Sequence, residues 1–124
     1  ISPVDEPKTV ASAIRIGNPV SWRKAANALR ESNGMALAVS DEEIMQARED
    51  LASDEGIFVE PASATPIAAL RRLGGKVKKG STVVCIATGH GLKDQDSVHW
   101  NAEESPVIGD KSSLKSELGK LSVN

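Results

Sequence analysis

"STVVCIATGHGLKD", residues 81–94, decides how the rest of this chain is read. Residues 82–87 are apolar at nearly every position. That is the pattern of a strand covered on both faces by helices, as in a parallel sheet. The run then empties into a hydroxyl, Thr88, and into a backbone made small on both sides of His90 by Gly89 and Gly91. Ligands of open α/β sheets lie beyond the carboxyl ends of the strands, so Thr88 stands where a ligand would sit. A plain tight turn would be written with the same residues.

Working outward, two more short apolar segments precede it, "MALAV" (residues 35–39) and "IFVE" (residues 57–60), and both alternate with helical patterns. Thr9 precedes a short helical face of Val10, Ala13 and Ile14, which Asn18-Pro19 breaks. Ser21 reads as an N-cap, with Trp22, Ala25, Ala26 and Leu29 at helical spacing until Asn33-Gly34. Ser40 with Glu43 three residues on is a capping box, followed by Ile44, Ala47 and Leu51 as a buried face and Gly56 at the end. Thr65-Pro66 fits an N-cap with proline at the first helical position, and Ile67, Ala68 and Leu70 carry that helix to Gly74-Gly75. Strands alternating with helices predict right-handed βαβ units and a mainly parallel sheet, hence an α/β fold. From Gln95 the pattern changes. "DQDSVHWNAEESPVIGD" has no period, and "KSSLKSELGKL" reads as a short helix carrying Leu114, Leu118 and Leu121. The chain therefore divides into an α/β portion, residues 1–94, and a loop with a short helix, residues 95–124.

The 124 residues suit one modest domain with a real core. Their net charge of −2 mixes both signs along the chain and offers no basic face for nucleic acid. No apolar run reaches membrane length and the first residues lack a signal pattern, so a soluble, cytoplasmic protein is expected. Cys85 is the sole cysteine, so an internal disulfide is excluded. It reads as a small buried hydrophobe rather than a reactive thiol, because nothing cationic flanks it. With no tyrosine, one phenylalanine and two tryptophans, the core must be aliphatic. The opening residue, Ile1, reads as that of a piece of a longer protein.

Two strand ends carry chemistry-bearing groups, Glu60 before Pro61-Ala62-Ser63-Ala64 and Thr88 before Gly89-His90-Gly91. If those strands are parallel neighbours, a carboxylate and a hydroxyl converge at one edge of the sheet. His90 and His99 lack the patterned second ligands of a metal site, so no metal is expected. There is no Gly-x-Ser-x-Gly elbow and no phosphate-binding glycine loop. His90 reads as a loop histidine bonded to backbone in preference to a general base. Taken alone, these residues define half a site without a nucleophile.

The segments "TVASAIRIGNPVSW", "VSDEEI", "EGIFVEPASA" and "VVCIATGHGLKD", in this order and at these separations, resemble the C-terminal part of the threonine synthase family. Those are pyridoxal-phosphate (PLP) enzymes of the tryptophan-synthase-β type. The resemblance runs from Thr9 to about Asp94. "EPASA" alone would also suit serine/threonine dehydratases, whereas Thr88 with "GHGLKD" points to threonine synthases. It implies part of the large domain of a fold-type II PLP enzyme, whose reaction converts O-phospho-L-homoserine and water into L-threonine and phosphate. Thr88 matches the threonine whose hydroxyl bonds the pyridine nitrogen of PLP. Ala11 matches a small residue close to the ring, and Glu60 a carboxylate near the cofactor's edge; a cap on the following helix is an equal reading for Glu60.

The family's cofactor-carrying lysine lies in its N-terminal half. Lys24, Lys76, Lys78, Lys79 and Lys93 sit in polar helix or turn contexts, outside that motif. The resemblance therefore implies that this chain contributes no catalytic residue. It further implies inactivity alone, an apolar sheet face to be covered by the missing N-terminal half, and a homodimer as the complete enzyme. A fragment of a PLP-dependent dehydratase and a non-enzymatic α/β binding module are the alternatives.

Overall fold

The structure is a computed structural model and describes residues 2–94 and 109–120. Four α-helices fall in these residues: α1 (Trp22–Glu31), α2 (Asp41–Glu55), α3 (Pro61–Leu73) and α4 (Lys111–Lys120). The fold that positions the site is the packed pair α2–α3 and the segments lying on it.

Helix α2 starts where the capping box places it. Ser40 Oγ accepts from the Glu43 amide at 3.2 Å, and Glu43 Oε2 accepts from the Ser40 amide at 2.7 Å. It ends at Gly56, whose φ of 66° is the left-handed conformation that glycine adopts without penalty. Ile44 and Ala47 face inward and meet Ala64 and Ala68 of α3, with Val39, Leu51 and Ile67 packed at the margin. Among the described residues, five of the seven buried hydrophobics are alanines, so the core is built mainly from small side chains. Along the rim, Arg71 pairs with Asp50, and Arg72 donates to Ala38 O and reaches Glu43 Oε2. The Arg71 bond, and secondarily Gln46, holds the Asp50 carboxyl below its ordinary range. Such exposed pairs are worth little individually, ~1 kcal/mol at most.

Helix α3 begins five residues earlier than Thr65-Pro66 predicts. Pro61 takes the first helical position, and Pro66 lies inside the helix. An internal proline strips its i−4 carbonyl, here that of Ala62, of a backbone donor. The Thr65 hydroxyl takes over, donating to Ala62 O at 2.7 Å. Thr65 thus repairs a helix it was expected to start.

The predicted helical face at residues 10–14 is instead a single 3-10 turn, Ser12–Ile14. Asp41, at the start of α2, holds this segment in place. Its carboxylate accepts from the Thr9 hydroxyl at 2.6 Å and the Val10 amide at 3.1 Å, while Thr9 Oγ1 accepts from the Ala11 amide at 3.1 Å. These are amides that the first turn of a helix leaves unpaired, so the bonds cap the turn and tie it to α2. Helix α1 forms where predicted but buries no residue completely; Trp22, Ala26 and Leu29 are half-buried, and Arg23 stacks over the Trp22 ring at 5.2 Å.

The three predicted strands run without forming a ladder among the described residues. One isolated bridge is present, Val59 with His90, and it is antiparallel. Parallel strands meet only through long crossovers, and their hydrogen bonds all go to neighbouring strands. Residues 35–39 and 82–87 expose apolar side chains, including Met35 at 64%, Val84 at 81% and Ile86 at 71%. Cys85 is half-buried, with Sγ 3.9 Å from Pro66 O, so this segment lies along α3. At the far end α4 forms as predicted, capped by Asp110; Leu121, and residues 95–108 of the predicted loop, lie outside the described residues.

Candidate functional site

The corner where the Phe58-Val59-Glu60 segment turns into α3 gathers the polar groups. Backbone bonds fasten the 88–91 loop across it: Glu60 N–H donates to Gly89 O at 3.1 Å, and Gly91 N–H donates to Phe58 O at 3.1 Å. Ser63, in the first turn of α3, is 1% exposed. Its hydroxyl accepts from the Gly89 amide at 2.7 Å and lies 3.0 Å from Thr88 Oγ1. Thr88 itself is exposed. The structure therefore brings Thr88 and Glu60 to one corner, with Ser63 between them.

Glu60 is 4% exposed and stands at the N-cap position of α3, yet its side chain caps no amide. The carboxylate turns instead toward Gly89, and Lys93 Nζ lies 3.5 Å from its Oε2. Placement at the positive end of α3 favours the charge. The two glycines around His90 have φ outside the left-handed region, so their role is space. A methyl group on Gly89 would overlap the Glu60 carboxylate, and one on Gly91 would overlap the Phe58 ring.

Behind the corner, buried Arg48 of α2 donates through Nε to Val59 O at 2.9 Å and lies 5.0 Å over the Phe58 ring. Burial pulls its guanidinium below the usual range, while the Asp94 charge opposes that shift. Phe58 meets His90 edge-to-face at 5.8 Å, and His90 Nδ1 accepts from the Leu92 amide at 3.2 Å, the backbone-bonded state read for a loop histidine. Ser12 donates to Asp94 Oδ2 at 2.7 Å and draws the 3-10 turn beside Ala11 toward the end of this loop. Ala11 is fully buried among the core alanines.

Sequence reading missed Ser63, Arg48 and the Lys93–Glu60 contact. Ser63 was in view inside "PASA", but a helix starting at Thr65 left it in a loop; a start at Pro61 turns it inward. Arg48 follows the buried Ala47 on α2, and no spacing rule marks it. Among the described residues, no group of three or more histidine, cysteine, aspartate or glutamate side chains is arranged to hold a metal ion, and no helix is long and apolar enough to cross a membrane.

With this geometry in place, comparison with known proteins identifies the class. A family model described as pyridoxal-phosphate dependent enzyme matches residues 1–89, and the chain belongs to that family. Within it, the chain is similar to threonine synthases. It is 54% identical over 110 residues to that of Methanosarcina acetivorans, covering 87% of this chain and 27% of that protein. It is 50% identical over 107 residues to that of Halalkalibacterium halodurans, covering 85% and 30%. It is 49% identical over 120 residues to that of Mycobacterium leprae, covering 94% and 33%. The chain thus spans about a third or less of the length of the relatives it matches.

Proposed function

We propose that this chain is the C-terminal part of a threonine synthase, a lyase that converts O-phospho-L-homoserine and water into L-threonine and phosphate, and that it builds one wall of the PLP site. The observation that carries this reading is the exposed Thr88 hydroxyl, held by Ser63 at the corner where Glu60 is buried. That corner lies in a chain about half identical to threonine synthases.

The donor set fits a pyridine ring. Thr88 offers a neutral hydroxyl, which bonds a ring nitrogen without holding it protonated, as an aspartate would. Gly89 leaves room for the Glu60 carboxylate beside that hydroxyl. Glu60 stays fixed near the edge of the site by Lys93 and by burial. Ala11, expected beside the ring, is fully buried in the core and backs the site without bordering it. PLP, when bound, supplies the electron sink that labilises substrate C–H bonds. The chain's own work is to orient the ring through Thr88 and to close this side of the site.

The covalent lysine and the loops that grip both phosphates belong, in this proposal, to an N-terminal portion that also completes the parallel sheet of a fold-type II enzyme. The complete protein is then a cytoplasmic homodimer, and the present chain is inactive alone. The test is an assay of the complete protein, tracking phosphate release and threonine formation from O-phospho-L-homoserine. Stoichiometric threonine and phosphate are expected. Deamination of threonine, with phosphohomoserine untouched, would overturn the assignment.

A further inference from the structure

The hydroxyl of Ser63 has one proton and two lone pairs to place. One lone pair is taken by the Gly89 amide at 2.7 Å. With 1% exposure the group has no access to bulk water, and among the described residues the one acceptor in reach of its proton is Thr88 Oγ1, at 3.0 Å. Two directions exist for that bond. If Thr88 donates, Ser63 accepts twice and its own proton is buried with no acceptor, which carries the desolvation penalty of an unmade hydrogen bond. If Ser63 donates, its proton and a lone pair are both engaged. The Thr88 proton is then released to the exposed side of the residue.

We infer that Ser63 is a positioning residue that fixes Thr88 as a hydrogen-bond donor, so that the corner selects a ligand bearing an unprotonated ring nitrogen. The chain of donors runs Gly89 N–H to Ser63 Oγ, Ser63 O–H to Thr88 Oγ1, and Thr88 O–H outward. A protonated nitrogen, itself a donor, would have to take the second lone pair of Thr88 Oγ1 and would leave the Thr88 proton without the ring as its acceptor. Because the hydroxyl is oriented from behind by a rigid helical turn, the selection needs no charge at the site. This inference rests on the reading of Thr88 proposed above and adds Ser63 to it.

The experiment compares equilibrium binding of PLP and of 1-deaza-PLP, which has CH in place of the ring nitrogen, to the complete protein by fluorescence titration. The unmodified protein is expected to prefer PLP by about fivefold, the worth of one neutral hydrogen bond. Ser63→Ala should shrink that preference toward unity, and Ser63→Cys, a weaker donor of similar size, should fall between. Thr88→Val should abolish it. If Thr88→Val abolishes the preference while Ser63→Ala keeps it whole, the orienting role of Ser63 is wrong and the Thr88 reading stands. If Thr88→Val also keeps it, the Thr88 reading itself fails. Should Ser63→Ala not fold, an unchanged preference in Ser63→Cys overturns the inference and a reduced one supports it.

Discussion

The extended segments at residues 35–39 and 82–87 are more apolar in sequence than the charge-rich α2–α3 pair, yet the helix pair is the part that is covered. In the helix pair, backbone groups are satisfied within each helix, and Ile44, Ala47, Ala64 and Ala68 need only each other to leave water. The extended segments depend on neighbours remote in sequence, and without a ladder they leave Val83, Val84 and Ile86 exposed. Between Met35, Leu37 and Val39 and the Thr65-Pro66-Ala69 stretch of α3 an open apolar groove of about 250 Å³ remains. Helices carry their hydrogen bonds with them; a parallel sheet is a property of the whole set of strands. The candidate site sits on the seam, anchored to the self-sufficient side by Ser63 and Arg48.

That contrast can be broken in several ways. The largest effect is expected at Ile44, one of the two non-alanine core hydrophobics. Ile44→Ala should cost about 2–5 kcal/mol by chemical denaturation, and a loss near zero would mean the helix pair is not the core. Next, Gly89→Ala forces a methyl group against the Glu60 carboxylate and should cost about 1–3 kcal/mol. Pairing it with Glu60→Ala should recover part of that loss, because the two sites share one space; strictly additive losses would refute the overlap. On the uncovered side, Val84→Ser should stay within about 0.5 kcal/mol of the unmodified chain. A loss comparable with that of Ile44→Ala would show that residues 82–87 are packed after all.

The smallest effect concerns Asp110. The Ser113 amide, with help from the Ser112 and Ser113 hydroxyls, lowers its carboxyl from 3.8 to about 2. A depressed folded-state pKa means the cap acts fully above the unfolded value of 3.8 and is lost as pH falls toward about 2. Amide exchange in the first turn of α4 should therefore quicken across that window, whereas constant protection down to pH 2 would contradict the cap.

Local signals in the sequence were readable where local physics rules. The Ser40–Glu43 box and Gly56 depend on residues within a few positions, and both ends of α2 lie where they place them. Thr65-Pro66 misled because the same two residues can start a helix or mend one, and only the earlier turn at Pro61 tells which. The 10–14 face gave a single turn, which Asp41 ties to α2 through Thr9 and Val10, a long-range contact that no local signal marks. At the site, Thr88 and Glu60 stood out as polar ends of apolar runs. Ser63 was hidden by its ordinary composition, and Arg48 by the absence of any motif.

The most direct test of the Thr88 corner is the ¹⁵N resonance of the ring nitrogen of labelled PLP bound to the complete protein, compared with Thr88→Asp. The predicted result is an unprotonated, hydrogen-bonded nitrogen that becomes protonated when the hydroxyl is replaced by a carboxylate. The same resonance in both proteins would contradict it.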